Sequence, residues 1–221
     1  MTANSSQLKE FREALGSYAT SYQVDLTAEA TERLSKYYDL LSAWNGRLHL
    51  VAPCSPREFA TRHVLESLML LPHVPQDARV ADVGSGAGLP IIPCLIARPD
   101  ITATLIESSK KKTVFLGEAL NRAEVFSSAT VIAARFENIP APEVDFITCR
   151  ALDRFEAKLP NLLKWSPPAS ILLFFGGEGL RDQLMNLDLG FDEFRIPNSK
   201  RRYVFVIRRT HPQPLGSRRV R

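Results

Sequence analysis

Apolar residues recur at helical spacing along the first seventy positions of the chain. Leu8, Phe11, Leu15 and Tyr18 fall on one face of a 3.6-residue repeat. Leu34, Tyr37, Tyr38, Leu41 and Trp44 do so again, after a Thr27 to Ala30 stretch that reads as a capped helix start. A third helix is predicted after Ser55-Pro56, with Phe59, His63, Leu65, Leu68 and Met69 available for burial. Pro72 and Pro75 then break the pattern. Beyond them short β-rich runs alternate with helical ones. Strands are predicted at 79–83, 102–106, 129–133, 144–149 and 170–175, apolar enough for burial on both faces, as a parallel sheet between helices requires. Two more, 191–196 and 202–209, are joined by the turn PNSKR, too short for a helix, and must pair antiparallel. The pattern predicts an α/β fold: a helical extension over residues 1–78, then a mostly parallel seven-stranded sheet with an antiparallel last strand over 79–210.

Composition narrows the class. At 221 residues, 45% hydrophobic, 24% charged and 9% aromatic, the chain can bury one sizeable core and is not disordered, collagenous or a coiled coil. No apolar run approaches the roughly 20 residues of a membrane span. The opening MTANSSQLKE lacks a basic and then apolar leader, so no export signal and no membrane partner are expected. Cys54, Cys94 and Cys149 are odd in number and form no CxxC pair, which argues against a disulfide framework and points to a reducing cytosol. His49, His63, His73 and His211 have no metal-ligand spacing, and no metal is expected. The net charge of +4 conceals an asymmetry, because Phe194 to Arg221 holds 9 basic residues and no acidic one. Such a tail, ending in Arg218, Arg219 and Arg221 within 211–221, can hold a polyanion or simply aid solubility.

The most informative stretch is RVADVGSGAGLPIIP, a strand that runs into Gly84, Gly86 and Gly88 and then a helix. Such glycines let backbone approach a ligand, and N–H groups at the helix start would face it. The third glycine of the dinucleotide fingerprint is replaced by Leu89, and the Gly-Lys-Ser/Thr of a P-loop is absent, so neither NAD nor ATP is favoured. What remains is D-x-G-x-G-x-G from Asp82, with Glu107 at the end of the next strand. Both reach the crevice beyond the strand carboxyl ends, where Glu107 can accept both hydroxyls of a ribose. That arrangement suits S-adenosylmethionine. The alternative is a tight turn with no ligand.

On AWNGRLHLV, RHVLESL, DVGSGAGLPIIPCLIARPD, LIESSKKKTVFL, AARFEN and ITCRAL, the chain resembles the RsmG (GidB) family of bacterial small-subunit ribosomal RNA methyltransferases, from about Tyr37 to Arg208. The resemblance implies a Rossmann-like class I methyltransferase fold with S-adenosylmethionine as cofactor. It also implies methyl transfer to N7 of a guanine in the decoding-region loop of 16S rRNA, within the small subunit or its assembly intermediate. A monomer working in the cytoplasm is expected. By the same resemblance Asp82 orders the turn formed by Gly84, Ser85, Gly86, Ala87, Gly88 and Leu89, and Ala134, Arg135 and Phe136 lie against the adenine. Three positions depart from the family: Ile91 replaces a glycine, Glu107 replaces an aspartate, and Gly176-Gly177 replaces a Lys-Gly pair. The missing lysine keeps other readings open, a methyltransferase of another substrate or a catalytically weak cofactor- or RNA-binding assembly factor.

Guanine N7 carries a lone pair and no proton, so the chemistry needs orientation rather than a general base. Arg150, at the end of the fourth strand and matching the family's S/C-R-A arginine, is the leading residue for positioning the substrate and also borders the cofactor. Arg202 and Arg135 follow as RNA contacts, and each of the three has an ion pair as its alternative role. Lys110 and Lys111, with Lys112, can meet phosphate, although a solvated first helical turn is the slightly favoured reading. For His63 a packed or capping role is favoured over a catalytic one. N7 faces a major groove too deep and narrow for side chains in an RNA duplex, so the target should lie in a loop or be splayed out.

Overall fold

The computed structural model describes residues 3–150 and 155–209. The tail 211–221, with His211, Arg218, Arg219 and Arg221, lies outside the described residues, as do Ala151 and Leu152 of the ITCRAL motif.

Helix α1 (Ser5–Tyr18) begins at an Asn4 capping box closed by Gln7, and α2 (Ala28–Leu48) begins where the Thr27 side chain accepts the Ala30 N–H. Ser55 caps α3 (Pro56–Glu58), which continues into a π-helical stretch, Phe59–Leu65, and then α4 (Glu66–Leu68). The expected third helix is therefore present, but its middle is wound with i→i+5 bonds, as in Glu66 N–H to Thr61 carbonyl.

The strands follow as β1 (Arg79–Val83), β2 (Thr102–Ile106), β3 (Ala129–Ile132), β4 (Phe146–Cys149), β5 (Ile171–Gly176), β6 (Phe191–Arg195) and β7 (Tyr203–Arg208). They form one sheet in the order β3-β2-β1-β4-β5-β7-β6, with β1 to β5 parallel and β7 antiparallel to both its neighbours. One expectation needs adjusting: β3 is only half-buried, because as an edge strand it has a neighbour on one side alone.

Helices α5 (Ile91–Ala97) and α6 (Lys110–Arg122) cover one face of the sheet, and α7 (Phe155–Trp165) and α8 (Glu178–Asn186) cover the other. The N-terminal helices join the first layer. Phe11, Leu34, Tyr37, Phe59 and Leu68 share one apolar core with Leu105, Phe115, Leu116, Leu173 and Val204. The opposite core holds Val83, Ile147, Leu159, Phe174, Leu184 and Phe205. Because β1 connects outward to β2 and β3 and the chain then crosses back to β4, the sheet has its switch point between β1 and β4. Ligands of open α/β sheets bind beyond the strand carboxyl ends at that point.

Candidate active site

A cavity of about 730 Å³ opens there. Gly84, Ser85, Gly86, Ala87 and Leu89 line it from the turn after β1, Ile106, Glu107, Ser108 and Ser109 from the end of β2, and Ala134, Arg135 and Phe136 from beyond β3. Arg150 closes it from β4. The cofactor residues read from the sequence thus meet, apart from Asp82 and Gly88, which are buried behind the wall.

The turn is built largely by the protein's own bonds. Gly84 and Ser85 N–H donate to the Ile106 carbonyl at 2.8 and 3.2 Å, and Gly88 N–H donates to the Ser85 carbonyl at 2.6 Å. Glu107 braces the rest: Gly86 N–H donates to its Oε2 at 2.9 Å and Ser109 N–H to its Oε1 at 2.7 Å. These N–H groups are therefore spent inside the fold rather than offered to a ligand. Each carboxylate oxygen keeps a further lone pair, since an ionised carboxylate accepts about four bonds. Gly86 has φ +51°, and a Cβ there would meet only the Gly84 carbonyl, at 3.7 Å, so its missing side chain lets a ligand lie against bare backbone. From the other layer, the buried Tyr37 hydroxyl donates to the Ala87 carbonyl at 2.7 Å.

Asp82 holds the turn differently from expectation. Its carboxylate is fully buried and makes no hydrogen bond among the described residues; the Ser85 hydroxyl bonds its backbone carbonyl instead, at 3.0 Å. Burial, with Glu107 nearby, pushes its carboxyl up to about 7.

On the β4 side, Arg150 is largely committed. Its guanidinium donates to the carbonyls of Arg62 and His63, to the Ser67 hydroxyl at 3.0 Å and to Glu66. It also stands over the Phe175 ring, 5.4 Å from the centroid. Arg202 does not line the cavity; it binds Glu66 at 2.6 Å, the ion pair that was its alternative role. Lys110 and Lys111 are exposed at the start of α6, outside the cavity. Lys112 does reach it.

Four features of the wall were missed. Leu50, Val51 and Ala52 arrive from the loop after α2, Lys158 from α7, Glu137 beside Phe136, and His63 from the π-helical stretch. No local signal marks Lys158 or His63, because neither neighbours the turn in sequence. At Gly176 a Cβ would lie 2.5 Å from Leu180 Cδ2, so the strand end is closed to a side chain. The lysines that reach the cavity are Lys112 and Lys158.

A profile of the family described as GidB, rRNA small subunit methyltransferase G, matches residues 30–190. The chain belongs to this family. Curated relatives named ribosomal RNA small subunit methyltransferase G agree. That of Acidiphilium cryptum is 40% identical over 158 residues, covering 68% of this chain and 70% of the relative. That of Xanthomonas campestris is 38% identical over 170 residues, with 75% and 78% covered. Among solved structures, ribosomal protein L11 methylase from Lactobacillus delbrueckii superposes with TM-score 0.54 at 15% identity, covering 68% of this chain and 79% of that one. A SAM-dependent methyltransferase from Aquifex aeolicus gives 0.52 at 16%, with 65% and 89% covered. These two establish the Rossmann-like class I fold. As a family member the protein is an S-adenosylmethionine-dependent methyltransferase, and the cavity fits that cofactor: the Glu107 carboxylate at its wall has acceptor capacity left for a ribose.

Proposed function

We propose that the protein transfers a methyl group from S-adenosylmethionine to N7 of a guanine in the decoding-region loop of 16S rRNA, in the cytoplasm. Relatives at 38–40% identity carry the small-subunit rRNA methyltransferase name, which supports the RNA substrate. One observation carries the choice of a nucleophile without a proton. On the acceptor side of the cavity, the described residues Arg150, His63 and Lys158 present cations and donors rather than a carboxylate. Burial and the charges of Arg150, Arg62 and Arg202 hold His63 down to about 3, too weak a base to serve. An oxygen or exocyclic amine would have to lose a proton; N7 has none.

When bound, S-adenosylmethionine supplies an electrophilic methyl group on a cationic sulfur. The chain's contribution is placement. Gly84 to Leu89, Glu107 and the Ala134-Arg135-Phe136 segment hold the cofactor, while Arg150 and the two cavity lysines hold the acceptor and its phosphates. Arg135 borders both. Lys110, Lys111 and Arg202 lie further out, where they can follow the RNA backbone.

The test is mass spectrometry of small-subunit RNA from cells lacking this chain. N7-methylguanine in the decoding-region loop should disappear and return when the gene is restored. Its persistence would overturn the assignment.

A further inference from the structure

We propose that His63 reads the carbonyl group of the acceptor base: its Nε2–H donates to O6 of guanine and thereby holds the adjacent N7 toward the methyl donor. This rests on the guanine-N7 reading above and adds the residue that selects the base.

His63 stands in the cavity wall beside Arg150, although its own helix belongs to the N-terminal layer. Two contacts hold its ring and a third its backbone. Arg150 Nη1 donates to its backbone carbonyl at 3.1 Å, Arg150 Nη2 lies 3.3 Å from its Nδ1, and the Phe59 ring packs against the imidazole at 5.2 Å. A guanidinium has donors only, so Nδ1 must be the acceptor of that contact. The ring's hydrogen therefore sits on Nε2, the nitrogen that has no hydrogen-bond partner among the described residues.

The charges around the ring keep it in that form. Arg150, Arg62 and Arg202 all disfavour a second proton, as does burial. Glu66, the carboxylate packed among them, is already engaged by Arg150 and Arg202. A fixed, neutral donor results.

Guanine presents N7 and O6 as adjacent acceptors on one edge, whereas adenine presents N7 beside an amino donor. An N–H at His63 meets O6 as a partner and the adenine amino group as a second donor, which leaves both unpaired. The opposite tautomer would prefer adenine. Arg150 thus sets base choice through the imidazole it orients, in addition to any contact of its own.

The experiment measures kcat/KM for methyl transfer to small subunits reconstituted with RNA carrying guanosine, inosine or 2-aminopurine riboside at the target. All three keep N7, and only 2-aminopurine lacks O6. The native enzyme should accept guanosine and inosine alike and disfavour 2-aminopurine by about tenfold or more. His63→Ala should lower transfer to guanosine and inosine far more than transfer to 2-aminopurine, closing most of that roughly tenfold gap, while the affinity for S-adenosylhomocysteine falls much less than transfer to guanosine. His63→Gln, whose amide nitrogen can take the place of Nε2, should restore part of the preference. An equal loss on all three RNAs in His63→Ala, or a native enzyme indifferent to O6, overturns the inference and leaves the guanine-N7 reading standing. Absence of transfer to every RNA by the native enzyme overturns both.

Discussion

Arg150 and Glu66 meet at 3.4 Å with side chains 14% and 2% exposed, joining the end of β4 to the N-terminal helical layer. Arg202, at the start of β7, holds the same carboxylate. One buried acid thus binds two arginines that flank different strands. Removing one partner of a buried pair leaves uncompensated charge, which costs about 3–5 kcal/mol. Glu66→Ala should lower unfolding free energy in urea by about that amount. A loss comparable to an exposed ion pair would show that the cluster contributes little to holding the helices.

Asp82 makes stability depend on pH. Its folded-state value of about 7 lies above the ordinary 3.8, so the folded protein binds a proton more readily than the unfolded chain. The advantage is fully present below about 3.8 and is lost as pH rises through about 7. Asp82→Asn removes this titration. The stability of the native protein relative to the variant should therefore fall between these limits, by about 4 kcal/mol at most. Parallel pH–stability curves for the two proteins would contradict the burial of an unpaired carboxylate.

Gly86 and Gly88 should respond differently to alanine although both have positive φ, +51° and +81°. At Gly86 the added methyl meets nothing nearer than 3.7 Å within the protein. The strain there is about 1–2 kcal/mol, and the larger loss should appear in cofactor affinity. At Gly88 the methyl would stand 2.3 Å from Ile92 Cδ1 and 2.7 Å from its Cγ1, in the packed core, which adds about 1–3 kcal/mol of overpacking. Thermal unfolding should rank Gly88→Ala well below Gly86→Ala.

Glu107→Ala removes both the ribose acceptors and the brace on Gly86 and Ser109 N–H. Charge-assisted bonds are the strong ones, so calorimetry with S-adenosylhomocysteine should show affinity reduced by about tenfold to a hundredfold. Arg150→Ala should reduce transfer more than cofactor affinity. Unchanged binding in the Glu107 variant would remove its ribose role.

Much of this architecture is legible along the chain. The boundaries of β1 and β2 agree residue for residue with the short apolar runs of the sequence, and Thr27 and Ser55 cap the helices as their side-chain chemistry suggests. The glycine-turn half of the candidate site is legible for a related reason: the turn and Glu107 sit at the ends of adjacent strands. Of the opposite side, only Arg150 was. His63 reads as an ordinary packed helical residue, and the π-helical winding that carries it leaves no mark in the spacing of apolar positions.

The sequence by itself determined the alternation of strands and helices, the sheet's single antiparallel strand and the glycine turn after β1, because helical period, strand period and glycine spacing act over a few neighbouring residues. Only the tertiary structure decided that Arg150 spans 87 residues to bond the His63 carbonyl, that Arg202 serves Glu66 rather than the cavity, and that Lys158 reaches the cavity. Those outcomes depend on two layers packing over one sheet, which brings together groups that no local pattern relates.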